Sequence, residues 1–351
     1  MGSLTRLLDF SANCLLSNLG GGRLPFRVMF VLTNRCNGRC LTGNIWKKEA
    51  TGELSTDECL KVVSSLSGVN WLDLMGGEIF MRPDLDAILE AVDKDCRSLY
   101  LFHFATNGLL TQRIAAFCEK ILSSRIPRTI VTVSIDAPGE ANDAIRGVKG
   151  SWERSVATLS ALRRLSGPKF KAVVGMTISE HNYGLVDELF ARLSQEVGGL
   201  RKDDFHLNLG QKSFYYDNNS AEGLDAREYR DVVGDYHKAQ RPTPFSPYSF
   251  LEGKYRSLLG AFVDGGKCPL PCKSGAVSCM IGPSGDVYPC ITYGRSMGNL
   301  RAHCYSLPAI WESEGRKTIA AEIAKGKCPH CWTPCEAYQT IISNFPRALV
   351  R

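Results

Sequence analysis

Apolar and polar positions alternate along this chain in a repeating order: a short apolar run, then a segment whose apolar residues return every three to four positions. Residues 26–33, FRVMFVLT, form a compact apolar run suited to a buried strand. A helix is expected at about 55–66, where Ser55 can cap its start and Glu58 completes a capping box. NWLDLM (70–75) is the next strand and PDLDAILEAVDK (83–94) the next helix, with Pro83 suited to a first turn. Strand-like runs recur near 98–104, 129–135, 171–177 and 204–209, and helix-like runs near 111–124, 151–165, 184–197 and 226–239. Six strand–helix pairs in series predict a parallel sheet with right-handed crossovers. Six are too few for a closed eight-stranded barrel. The expected fold class is therefore α/β, an open, partial (β/α)6 TIM-like barrel with its chemistry at the C-terminal ends of the strands.

The loops at those strand ends carry polar and glycine-rich motifs. Cys36 and Cys40 follow strand 1, and MGGEIF with Gly76, Gly77 and Glu78 follows strand 2. TNG (Thr106, Asn107, Gly108) follows strand 3, and strand 4 ends in VSIDAP with Ser134 and Asp136. Any one of these alone is most often a turn; four on one rim call for more. Residues 4–19 predict a short amphipathic helix packed on the main domain. RPTPFSPYSF, with three prolines and no helical period, marks a boundary. The expected division is an N-terminal helical segment (1–24), a barrel (25–240), a linker (241–266), a cysteine-rich module (267–340) and a tail (341–351).

Composition narrows the function. With 351 residues, 44% of them hydrophobic and 22% charged, the chain has the make-up of a globular protein. The net charge of +6 is small, and no basic run or aromatic-interleaved stripe suggests nucleic acid. No segment reads as a membrane span. Arg6 and Asp9 interrupt the N-terminal apolar patch, unlike a secretory signal, and Arg6 stands where a myristoylation site needs Ser or Thr. The expected location is the cytoplasm.

Fourteen cysteines are unusual, and eight of them crowd the last quarter: Cys268, Cys272, Cys279, Cys290, Cys304, Cys328, Cys331 and Cys335. In a long chain that reads as cytosolic, such clustering favours metal over disulfides. Cys272 and Cys290 are separated by seventeen residues, and CPHCWTPC supplies Cys328, Cys331 and Cys335. A CxxC with a distant pair suits a structural zinc ion or an iron–sulfur cluster. Cys14, Cys59, Cys96 and Cys118 read as small buried residues. His103, His181, His206 and His237 show no metal spacing. The aromatic residues of SFYYDNN (213–219) either line a substrate or pack.

The order of the motifs is more specific than any one of them. A CxxxCxxC-like loop, then GGE, TNG and VSIDAPGEANDAIRGVKGSW, resembles the radical S-adenosylmethionine (SAM) superfamily from about residue 26 to 210. The cysteine-rich module resembles the SPASM or twitch extension found behind that barrel. The resemblance implies an N-terminal [4Fe–4S] cluster on Cys36 and Cys40, S-adenosyl-L-methionine on its open iron, and a 5′-deoxyadenosyl radical that abstracts hydrogen. It implies that Gly76 and Gly77 admit the methionyl part of SAM and that Glu78 accepts from its ammonium. Ser134 and Arg146 match positions binding the SAM carboxylate or ribose, and Asn107 a ribose-side position; for Arg146 a surface ion pair is an equal reading.

An auxiliary [4Fe–4S] cluster is implied on Cys272, Cys290, Cys328 and Cys331. Cys335, with Cys268, Cys279 and Cys304, is then spare or serves a second cluster. The implied partners are an electron donor and a peptide or small-molecule substrate, as for a maturase or dehydrogenase; no catalytic acid or base is assigned. The chain departs from the pattern at one place. The third cysteine of the loop should stand three residues after Cys40, and that residue is Gly43. The expectation is an incomplete ligand set and impaired activity, or alternatively a non-catalytic scaffold that keeps SAM and the auxiliary cluster.

Overall fold

Each apolar run in the first two-thirds of the chain becomes a strand of one sheet. The computed structural model describes residues 1–19, 24–218, 232 and 247–350. Strands β1 (Arg27–Val31), β2 (Trp71–Met75), β3 (Leu101–Thr106), β4 (Arg128–Ser134), β5 (Phe170–Ile178) and β6 (Phe205–Leu209) lie parallel in sequence order. Their period of two sorts the side chains. Val28, Phe30, Leu72, Leu74, Phe102, Phe104, Val131, Val133 and Val174 join the main core. There they meet α2 (Thr56–Ser64), α3 (Leu85–Asp95), α4 (Thr111–Ser123), α6 (Ser151–Arg164) and α7 (Val186–Val197). The alternate positions, among them Arg27, Met29, Asp73, His103 and Thr132, face the lumen of the open barrel. The capping box at α2 forms as expected: Ser55 Oγ accepts from Glu58 N at 3.3 Å, and Glu58 Oε2 from Ser55 N at 2.8 Å.

The cysteine-rich module continues the same sheet. Its strand β7 (Ser278–Ile281) pairs in parallel with the free edge of β1, Arg27 opposite Ser278 and Phe30 opposite Ile281. Strands β8 (Asp286–Tyr288) and β9 (Gly298–Asn299) add on antiparallel, making nine strands in the order β6-β5-β4-β3-β2-β1-β7-β8-β9. Helices α9 (Leu307–Trp311), α10 (Glu314–Ala324), α11 (Pro334–Ile342) and α12 (Phe345–Val350) complete the module. The buried Arg27 fastens it to the barrel. Its guanidinium pairs with Asp73 at 2.8 Å, donates to the Cys335 carbonyl at 2.7 Å and to Gln339, and lies 3.9 Å over the Trp71 ring.

Three elements depart from the sequence pattern. The expected 241–266 linker contains a helix, α8 (Pro247–Gly265), whose inner face includes Glu252 and Arg256 beside Tyr255, Leu258 and Leu259. Charged residues at buried positions hide such a helix from a hydrophobic reading. A short helix, α5 (Glu140–Arg146), stands on the rim after β4. The N-terminal helix α1 (Ser3–Asn18) forms as expected, but its polar side faces inward. Arg6 Nη1 donates to the Leu99 and Arg125 carbonyls, Asn13 Nδ2 to Asn70 Oδ1, and Asn18 Nδ2 to the Ile342 carbonyl. The helix expected at 226–239 lies outside the described residues, apart from Val232. Among the described residues no helix is long and apolar enough to cross a membrane.

Candidate active site

The rim at the strand ends is built by close backbone contact. Gly77 N donates to the Thr33 carbonyl and Glu78 N to the Arg35 carbonyl, both at 2.8 Å, so the GGE segment lies flush against the cysteine loop. A Cβ on Gly77 would fall 2.5 Å from the Arg35 oxygen and 2.8 Å from Cys36 Cβ. On the other side, α5 holds the loop: Arg39 N donates to the Arg146 carbonyl and Leu41 N to that of Ile145. Gly147, at φ +63°, ends α5 where a Cβ would lie 2.4 Å from the Arg39 oxygen. The glycines thus serve first to seat the cysteine loop between two neighbours.

Within that seat the Cys36 and Cys40 sulfurs converge. Each is 3.6 Å from the point where a Cβ on Gly38 would stand. Gly38 N donates to Cys36 Sγ at 3.3 Å, Asn107 Nδ2 approaches the same sulfur at 3.9 Å, and Arg146 Nη1 lies 3.7 Å from Cys40 Sγ. Arg146 is held by a buried ion pair with Asp136, Nε to Oδ2 at 2.9 Å. Asp136 also accepts from Thr177 N at 2.8 Å. The surface ion pair considered for Arg146 is thus an interior one, beside a thiol.

Glu78 is 1% exposed. It accepts from Asn107 N at 2.7 Å and from the Thr106 hydroxyl at 3.0 Å. Burial pushes its carboxyl up to about 7, while those donors pull the other way. A cation placed there would return it to the ionised form. Ser134 ends β4 opposite Gly175, half-buried.

Gly43 brings no donor to this group. A Cβ there would meet only Tyr216, at 3.6–3.9 Å, which is ordinary contact. Segment 42–48 is clamped to the loop after β6. Asn44 N donates to the Tyr216 carbonyl at 2.8 Å, and Lys48 Nζ to the Phe214 and Tyr215 carbonyls at 2.9 and 2.8 Å. The loop crosses the open side of the barrel, and Tyr215 packs with Met29 and Val31 of β1 and Met280 of β7. Two thiols, those of Cys36 and Cys40, therefore stand together on this rim, and position 43 adds none.

Deeper in the lumen, Asp73 accepts from Arg27 and Trp71 Nε1 and lies 2.7 Å from His103 Nδ1; His103 Nε2 meets Thr132 Oγ1 at 3.0 Å. His206 Nδ1 lies 2.6 Å from the buried Glu252. Neither histidine shows a metal spacing in the sequence, and their carboxylate partners are distant along the chain, so no local signal marks them. His181 pairs with exposed Glu180, and His237 lies outside the described residues. The Tyr215 hydroxyl, Asn208 Oδ1 and Gln211 Nε2 are buried with no hydrogen-bond partner.

The second thiol group lies in the C-terminal module. Cys272, Cys290, Cys328 and Cys331 line one cavity with Cys268, His330, Trp332 and Glu336. Cys335 does not: it packs on the lumen side, against the Met29, Val31 and Tyr215 cluster. Cys279 is buried in β7 and Cys304 is exposed. Cys59, Cys96 and Cys118 are buried as expected, and Cys14 is half-buried. Among the described residues no three His, Cys, Asp or Glu side chains are gathered as ligands of a single ion. Five soft donors around one enclosed space suit a larger sulfur-bridged group. Burial pushes the Cys290 and Cys331 thiols up. Glu336, which the sequence did not single out, is pushed up to about 8 by the same burial, and its Oε1 has no partner.

Residues 30–192 match the model of the radical SAM superfamily, and residues 272–332 that of SPASM, an iron–sulfur cluster-binding domain. The chain is 27% identical over 320 residues to the antilisterial bacteriocin subtilosin biosynthesis protein AlbA of Bacillus subtilis, covering 87% of this chain and 65% of that one. It is 26% identical to an AdoMet-dependent heme synthase of Methanosarcina barkeri, covering 88% of each. It is 30% identical to the mycofactocin maturase MftC of Mycolicibacterium smegmatis, covering 76% of this chain and 64% of the other. Among solved structures, Streptococcus suis SuiB bound to S-adenosylmethionine superposes with a TM-score of 0.61 at 15% identity, over 85% of this chain and 68% of that one. Native anSMEcpe with bound AdoMet and the Cp18Cys peptide gives 0.60 at 14%, over 92% and 98%.

Proposed function

From a chain that belongs to the radical SAM superfamily and carries a SPASM domain behind its barrel, we propose a peptide-modifying enzyme that abstracts hydrogen from a substrate in the barrel lumen. The observation that carries the reading is the pairing of a thiol-bearing rim with a lumen wall of unsatisfied polar groups. The Tyr215 hydroxyl and Gln211 Nε2 can donate, and Asn208 Oδ1 can accept, as a peptide amide requires. A bacteriocin biosynthesis protein and a maturase among the relatives, AlbA and MftC, support the peptide class, as does a structure of SuiB bound to the precursor peptide SuiA.

When bound, the [4Fe–4S] cluster and SAM supply reductive cleavage of a carbon–sulfur bond and hence the abstracting radical. The chain's own residues do the placing. Cys36 and Cys40 hold the cluster, and Glu78 takes the ammonium of SAM. Arg146, aimed by Asp136, answers a carboxylate or keeps negative charge beside Cys40. Asn107 and Ser134 stand at the ribose side. Cys272, Cys290, Cys328 and Cys331 hold the auxiliary cluster, with Cys268 within reach as a further thiol. An external electron donor is required. A small-molecule substrate is the second reading, because the heme synthase of Methanosarcina barkeri matches over 88% of both chains.

The test is anaerobic incubation with SAM, a strong reductant and either a peptide encoded beside this gene or an iron porphyrin. A mass change in the peptide together with 5′-deoxyadenosine supports the proposal. Change in the porphyrin alone selects the second reading. No 5′-deoxyadenosine, even after position 43 is given a thiol, leaves the scaffold.

A further inference from the structure

Helix α1 is amphipathic, and it is mounted with its leucine stripe outward, while Phe10 packs inward against Phe26 and Tyr100. On a helix of 3.6 residues per turn, Leu4, Leu8, Ser11, Leu15 and Leu19 share one face. Those leucines are 68%, 60%, 69% and 84% exposed, while on the opposite face Arg6 and Asn13 are bonded into the body and Ser17 is buried. The only charged residues of the helix, Arg6 and Asp9, both belong to the inward side. The patch continues onto α12. Phe345 N donates to Asn18 Oδ1 at 2.8 Å, and Phe345, Leu349 and Val350 are exposed. Scattered surface leucines need no explanation, but a contiguous apolar stripe along a whole helix marks an interaction surface.

We propose that this face is the seat of a second copy of the chain, joined by antiparallel pairing of α1 with its counterpart about a two-fold axis. The outward stripe of α1 carries no charge, and Arg347 of α12 is the charged group exposed beside it, so the stripe itself offers nothing to an acidic or basic partner. It also lacks the Lys and Arg by which interfacial helices hold anionic membranes. It is complementary to itself. In an antiparallel pair with Leu4 opposite Leu15, Leu8 falls opposite Ser11 and Leu7 opposite Ala12, so that Leu7 and Leu8 meet small residues. The same operation brings the Phe345 and Leu349 patch of one copy beside Met1 and Leu4 of the other. That extends the contact beyond two helices toward the ~800 Å² per partner of a stable interface.

The experiment is sedimentation equilibrium of the full chain across nanomolar to micromolar concentrations, with and without Leu8→Glu plus Leu15→Glu. The expected result is a concentration-dependent dimer whose dissociation constant rises roughly 100-fold or more in the variant, because each carboxylate is buried in the seam between the two helices. Melting of the isolated protomer is expected to be unchanged, since both side chains are exposed. Register is read separately: mixing Leu8→Cys with Ser11→Cys chains gives an oxidised cross-link between the two variants, and neither alone gives an added band. Three results overturn the proposal. They are a monomer at every concentration, a dimer indifferent to both substitutions, or binding of the wild-type chain to phosphatidylcholine vesicles that the two substitutions abolish.

Discussion

Gly43 is the residue at which the chain departs from the three-cysteine pattern. Its φ lies outside the left-handed region, and a Cβ there meets only ordinary contacts, so Gly43→Cys needs no backbone shift. After anaerobic reconstitution the variant is expected to hold more iron and to release more 5′-deoxyadenosine than the parent. Equal values for both, measured by iron assay and chromatography, would place the defect elsewhere. Glu78 gives a second prediction. Glu78→Gln is expected to weaken SAM binding by about 1–3 kcal/mol in calorimetry, through loss of a charge-assisted hydrogen bond. The same residue sets a pH dependence in the SAM-free protein. Its folded-state value of about 7 lies above its ordinary 4.5, so the protonated form favours folding. That contribution is full below 4.5 and is lost as pH rises through 7, about 3 kcal/mol in all. Denaturant titrations between pH 5 and 8 are expected to show this slope in the parent and a flatter one in Glu78→Gln. Both residues stand out in the sequence, because a motif states its residue types. The burial that perturbs Glu78 was not.

At the scale of the element, glycine seats the cysteine loop. Gly77→Ala is expected to destabilise the protein by about 1–3 kcal/mol and to loosen iron at Cys36 and Cys40, because its methyl collides with the Arg35 carbonyl. Gly43→Ala is the matched control and is expected to be near neutral in urea unfolding. The six barrel strands and the helices between them could be read from periodicity, since each buries a simple apolar face. Helix α8 could not, because its buried positions include Glu252 and Arg256, matched to partners such as His206 that only the folded barrel supplies. The sequence pattern of α1 likewise told its period but not its direction. A leucine stripe is ordinarily the buried side, and here the Asn70 and Leu99 acceptors reverse it.

At the scale of the whole molecule, the two thiol groups are held by different parts of the chain. Replacing Cys36 and Cys40 together with Ala is expected to leave roughly four irons per chain, held by the C-terminal cavity. Loss of nearly all iron, or stoichiometric zinc in its place, would reject that arrangement. The pairing of β7 with β1 has a consequence for how the chain is made. Strand β1 leaves the ribosome early, yet the partner for its outer edge, Ser278–Ile281, is synthesised some 250 residues later. At roughly 5–20 residues per second the nascent barrel carries an unpaired, apolar edge for about 10–50 seconds. An open edge of that kind is a template for pairing with other chains. Protein yield is therefore set in part by what shields five residues, Arg27–Val31, during translation, and slowed elongation or a missing chaperone should appear first as insoluble nascent chain.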